Sequence, residues 1–151
     1  MIINIKYESD IFEIEIDEES TFEQIREFLY KEHNLDIDHA DMFYESKILL
    51  DHRTLNDYLI LDNDTIDIVE IKKVVLTLKN IMGACINVYT DNTASIKEVK
   101  VLAMLEMGDI VYFDLVYNNE VLLTKKRLYE YGINDNKTIN LNLKMGTGLL
   151  F

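Results

Sequence analysis

The sequence has no proline in its 151 residues and a single cysteine, Cys85. A lone cysteine cannot close an internal disulfide, which fits the reducing cytoplasm expected for this chain. No apolar run approaches the roughly 18 residues of a membrane-spanning helix. The opening stretch Met1-Ile2-Ile3-Asn4-Ile5-Lys6 alternates like a strand and lacks the basic start and apolar core of a secretory leader. No Gly/Ser-rich or low-complexity stretch marks a linker.

What is present in excess is acid. The formal net charge is −13, from 15 basic and 28 acidic residues. Residues 1–73 carry 7 Lys/Arg against 20 Asp/Glu, and residues 74–151 carry 8 against 8, so the whole imbalance lies in the first half. An acidic surface repels phosphate backbones, which argues against nucleic-acid binding by that half. It serves solubility, or it steers a basic partner protein.

Laid over each other, the two halves repeat one order of elements. The first has Ile3 and Ile5 alternating, a turn at Glu8-Ser9-Asp10, then Phe12, Ile14 and Ile16 at period two, a hairpin with one buried face. Ser20/Thr21 cap a helix whose residues Phe22, Ile25, Phe28 and Leu29 form one apolar stripe. Strands follow at Asp41–Glu45 and Lys47–Leu49, then a helical turn at Thr54–Tyr58 and a strand at Asp64–Ile71. The second half gives Leu76 and Leu78, a turn at Asn80–Gly83, then Ile86 and Val88. A helix capped by Thr93/Ser95 turns Ile96, Val99, Leu102 and Ala103 inward. Strands are expected at Tyr112–Tyr117, Leu122/Leu123 and Thr138–Lys144, with a brief turn at Arg127–Tyr131. Each half thus reads as a sheet crossed by one helix, with its own core. The expected class is α+β, as two tandem β-grasp domains at 1–73 and 74–145, with a tail at 146–151.

Residues 47–69 resemble ubiquitin over the same stretch, with Arg53-Thr54-Leu55, Asp57-Tyr58 and Ile60 at that family's spacing. Arg127-Leu128-Tyr129-Glu130-Tyr131-Gly132-Ile133 is a weaker copy, and Thr138–Lys144 resembles the family's last strand. The tandem arrangement is similar to the interferon-induced two-domain ubiquitin-like modifiers of vertebrates and to the two-domain modifiers of bacterial antiviral operons. Polyubiquitin is a poorer match, because Lys72-Lys73 stands where a cleavable Gly-Gly would end the first unit.

The resemblance implies a carrier and not a catalyst. Spacing pairs no nucleophile with a base, no metal-ligand cluster is evident, no cofactor is expected, and His33, His39 and His52 are scattered. Counted from Thr138, Gly148 falls where ubiquitin's terminal glycine falls, Thr147 replaces the penultimate glycine, and Leu149-Leu150-Phe151 lies beyond, like the removable end of a precursor. A residue without Cβ suits passage through narrow channels to a reacting carbonyl. The branched Thr147 demands a wider channel than the family's usual one. The implied partners are an E1-like activating enzyme, an E2-like conjugating enzyme, a processing and deconjugating peptidase, and target proteins. Nucleic acid and membrane are not expected.

Members of the family are read through an apolar patch on the sheet face away from the helix. By motif position Phe43 and Val69 form it in the first half, unless Phe43 is covered where tandem units meet. In the second half the places fall to Ile81, Val116 and Asn142. Lys144 stands where an arginine precedes ubiquitin's tail, and a positive charge there suits an acidic pocket on an activating enzyme. Two rival readings are a non-covalent adaptor that keeps Leu149-Leu150-Phe151, and a sulfur carrier, a class that is usually a single domain.

Overall fold

The computed structural model describes residues 1–144, and the chain divides into two compact units, Met1–Ile71 and one that begins at Lys72.

In the first unit β1 (Ile2–Tyr7) and β2 (Asp10–Glu15) form a hairpin closed by Glu8-Ser9. The helix α1 (Phe22–His33) starts in a reciprocal cap: Thr21 Oγ1 accepts from Gln24 N–H, and Gln24 Oε1 accepts from Thr21 N–H. Such a cap satisfies orphan donors of the first turn and contributes about 1 kcal/mol. β3 (Ala40–Tyr44) and β4 (Lys47–Ile48) pair antiparallel through Glu45-Ser46, both at positive φ. A 3₁₀ turn at Asn56–Tyr58 precedes β5 (Thr65–Glu70). The sheet order is β2-β1-β5-β3-β4, with β1 and β5 parallel at its centre. Phe22, Ile25 and Leu29 of α1 share a core with Ile3, Ile5, Met42 and Ile66 of the sheet.

The second unit repeats this. β6 (Lys73–Lys79) and β7 (Cys85–Asp91) form the hairpin, α2 (Ile96–Met107) is capped by Ser95, and β8 (Phe113–Tyr117) and β9 (Glu120–Val121) follow. A 3₁₀ turn at Leu128–Tyr131 leads to β10 (Lys137–Leu143), and the order is β7-β6-β10-β8-β9 with β6 and β10 parallel. Ile96, Val99 and Ala103 of α2 are buried with Leu76, Leu115 and Ile139. Both units are therefore α+β, a mixed five-stranded sheet crossed by one helix: two tandem β-grasp domains.

The alternation and the helical stripes put the core where the sequence predicts it. One strand differs. Leu122 and Leu123 were expected to form the short strand, but β9 is Glu120–Val121. The reason is register. Asn118 and Asn119, both at positive φ, make a two-residue hairpin turn, so pairing with β8 begins at once as Tyr117↔Glu120 and Val116↔Val121. Leu122 then drops into the core while Leu123 is exposed.

The units also differ at one equivalent backbone position. After each 3₁₀ turn the chain enters the left-handed region, at Leu59 (φ 56, ψ 37) and at Gly132 (φ 73, ψ 15). Glycine takes that conformation freely, whereas a residue with a Cβ is disfavoured there by about 1–2 kcal/mol.

Candidate interface surfaces and the base of the tail

The last strand of the second unit lies inside its sheet, between β6 and β8, and delivers the chain to Lys144. The Lys144 N–H donates to Tyr112 C=O at 2.8 Å, and its Nζ lies 3.2 Å from Asp114 Oδ1 on β8. The side chain is half-exposed, so the pair is a solvated one. The expected site residues Thr147, Gly148 and Leu149 lie outside the described residues.

On the sheet face away from α2, Asp114 and Val116 of β8 alternate with the buried Phe113 and Leu115, and Asn140 and Asn142 of β10 alternate with Ile139 and Leu141. Val116 faces Asn140 in register and Asp114 faces Asn142. Val116 is half-buried. Ile81 is not on a strand; it sits in the β6–β7 turn and is 95% exposed, beside Met82 at 86%. Asn80 shapes that turn, its Oδ1 accepting from the N–H groups of Met82 and Ala84 at 3.0 Å. The first unit has no counterpart, because Glu8-Ser9 closes its hairpin two residues after β1.

In the first unit Asp41 pairs with Val69 and Phe43 with Asp67, so Phe43 and Val69 are diagonal neighbours on β3 and β5. Val69 is half-buried, whereas Phe43 has no exposed surface at all. Period-two alternation turns Phe43 opposite to Met42, which belongs to the core against α1. The free apolar patch expected there is thus reduced to Val69.

Two exposed leucines were not singled out in the sequence. Leu59 is 76% exposed and Leu61 67%, on either side of the buried Ile60. The signal was available: at the same spacing from the shared Asp-Tyr or Glu-Tyr turn the second half has Gly132 and Asn134.

Carboxylates in this neighbourhood are bound to donors. Asp64 accepts from Tyr44 Oη at 2.6 Å and from Leu61 N–H at 2.8 Å, which hold its carboxyl below the usual carboxylate range. The same bond pushes Tyr44 up to about 12. Glu70 does this to Tyr7, whose hydroxyl donates to it at 2.8 Å and is also pushed up to about 12. Asp57 is lowered by Thr54 N–H, in a reciprocal box with the Thr54 hydroxyl.

Among the described residues no group of three or more His, Cys, Asp or Glu side chains could hold a metal ion, and no helix is long and apolar enough to cross a membrane. Cys85 opens β7 and is exposed, its Sγ 3.5 Å from Gly83 C=O.

Two β-grasp units of the same strand order define a tandem ubiquitin-like architecture. Residues 3–73 match the model of the Ubiquitin family, so the first unit is a ubiquitin-like domain by sequence as well as by fold. No curated protein matches the chain.

Proposed function

We propose that this chain is a ubiquitin-like protein modifier, made as a precursor, cut after Gly148 and attached to targets through the Gly148 carboxylate. The observation that supports this reading best is the end of β10. A strand held in the middle of a β-grasp sheet finishes at Leu143, and Gly148 is the fifth residue beyond it in the sequence.

The chemistry follows from the carboxylate. Peptide cleavage between Gly148 and Leu149 frees it. An E1-like enzyme converts it to an acyl adenylate, releasing pyrophosphate from ATP, and an enzyme thiol displaces AMP to give a thioester. An E2-like enzyme accepts the acyl group, and a nucleophile on the target displaces the thiol. The glycine lets the backbone approach each reacting centre closely. The chain itself is substrate and carrier. Antiviral defence is the role suggested by the resemblance to two-domain modifiers.

The test is incubation of a form ending at Gly148 with a cognate activating enzyme and ATP, with the longer form as control. A thioester of the Gly148-ending form alone supports the reading. A thiocarboxylate product would favour a sulfur carrier. Absence of any adduct, with Leu149-Leu150-Phe151 retained in cells, would favour a non-covalent adaptor.

A further inference from the structure

The loop after the first unit's 3₁₀ turn combines three features that the fold does not require. Leu59 takes a left-handed backbone that disfavours a side chain, yet its side chain is 76% exposed. Leu61, two residues on, is 67% exposed. A leucine that is strained and solvated contributes little to stability. The second unit builds the same loop with Gly132 and Asn134, which suit the backbone and the solvent.

The third feature is charge. Asn56 N–H donates to Glu18 C=O, which fixes the backbone of that segment beside the turn, and Asn56 Nδ2 donates to Glu19 Oε1, which holds the Glu19 carboxylate there. Asp62 accepts from Ile2 N–H at 2.6 Å, and Asp64 accepts from Leu61 N–H. In the second unit the matching bond runs from Tyr129 N–H to Asn92 C=O, and Asn92, Thr93 and Lys137 stand in place of Glu18, Glu19 and Asp64. Asp135 keeps the charge of Asp62 but is paired with Lys137, so the second unit lacks the apolar pair and retains one ion-paired carboxylate of the acidic border.

We infer that Leu59 and Leu61 form a docking knob for a partner protein that offers an apolar helix face flanked by Lys and Arg side chains. The leucines pack on that apolar face and the neighbouring carboxylates steer and orient the approach. The acidic border disfavours an anionic lipid surface. This surface is independent of the tail and serves equally a conjugated or an unconjugated chain.

The test transplants the second unit's solution into the first: Leu59→Gly with Leu61→Asn. The probe is an amphipathic helical peptide with one leucine face and one lysine face, titrated into the full chain and followed by amide NMR shifts. The expected result is saturable shifts centred on residues 56–64, weakened by salt, with affinity falling at least tenfold in the double variant. A peptide with serine for leucine should give no localised shifts. Thermal unfolding of the double variant should occur at the parent Tm or above it. A fall of more than about 4 °C would overturn the inference, since it would mark the leucines as packing residues. So would shifts spread over the acidic surface that the substitutions leave intact, or no shifts at all. Shifts in the loop that grow with protein concentration alone would replace the partner by a second copy. Binding of zwitterionic vesicles in preference to the peptide would replace it by a membrane.

Discussion

Lys144 and Asp114 are joined across β10 and β8 by an ion pair of 3.2 Å, at the point where the chain leaves the second sheet. The pair is solvated, so its contribution to stability lies in the range of about 0–1 kcal/mol. Its larger effect is on where the cation stands. Lys144→Glu places two carboxylates together and reverses the charge at the tail's base. Under the proposed function this variant should form adenylate much more slowly than the parent, while Lys6→Glu should match the parent, in a pyrophosphate-exchange assay. Equal rates for the two variants would contradict an enzyme pocket that reads Lys144. Tm of Lys144→Ala should stay within a few degrees of the parent.

Tyr58 and Tyr131 do the same work in the two units. Tyr58 Oη accepts from Leu50 N–H at 3.0 Å, and Tyr131 Oη accepts from Leu123 N–H at 2.8 Å. Each bond ties the 3₁₀ turn to the segment after the two-residue strand. Tyr58→Phe and Tyr131→Phe should each destabilise their own unit by about 1 kcal/mol. Amide exchange should show the loss confined to the unit that carries the substitution.

One hydrogen bond contributes at both ends of the pH range. Tyr44 is pushed up to about 12 by its bond to Asp64, and Asp64 is held low by the same bond. Tyr44 is raised above its usual pKa of about 10. Its contribution is complete below pH 10 and lost as pH rises through 12. The Asp64 contribution is complete above the usual carboxylate range and lost as pH falls through the depressed value. Tyr44→Phe should therefore flatten stability at both extremes. In an alkaline absorbance titration it should remove one of the late tyrosinate steps, leaving that of Tyr7 near 12.

The glycine rule divides the two tail positions. Under the proposed function Gly148→Val should block thioester formation, since a branched Cβ would obstruct the activating enzyme's channel at the reacting carbonyl. Thr147→Gly should preserve it, because removing a side chain leaves no new obstacle. A thioester assay with the cognate activating enzyme decides, and a Thr147→Gly variant that no longer transfers would show that the threonine itself is recognised.

The fold was legible because its signals are local. Phe22, Ile25 and Leu29 declare one helical face, Leu76 and Leu78 one sheet face, and the duplication makes each half check the other. β9 was misplaced because its position is fixed by the turn at Asn118-Asn119 and not by its own composition, which pairs a glutamate with a valine. Phe43 was assigned to the correct sheet face, but alternation says which way a side chain points and not whether it is covered. Positive φ at Leu59 leaves no mark in a pattern of apolar and polar residues, and its one sequence sign is the glycine, Gly132, at the same place in the second half.

β10 runs parallel to β6 and antiparallel to β8, with a hydrogen-bonded neighbour on either side. The chain enters this unit through β6 and leaves through β10, so a pull between the two ends shears the parallel ladder along its length and loads its bonds together. Two ladders must slip before the last strand can be drawn out. A pull along the chain is therefore met in the second unit by both ladders of β10 at once.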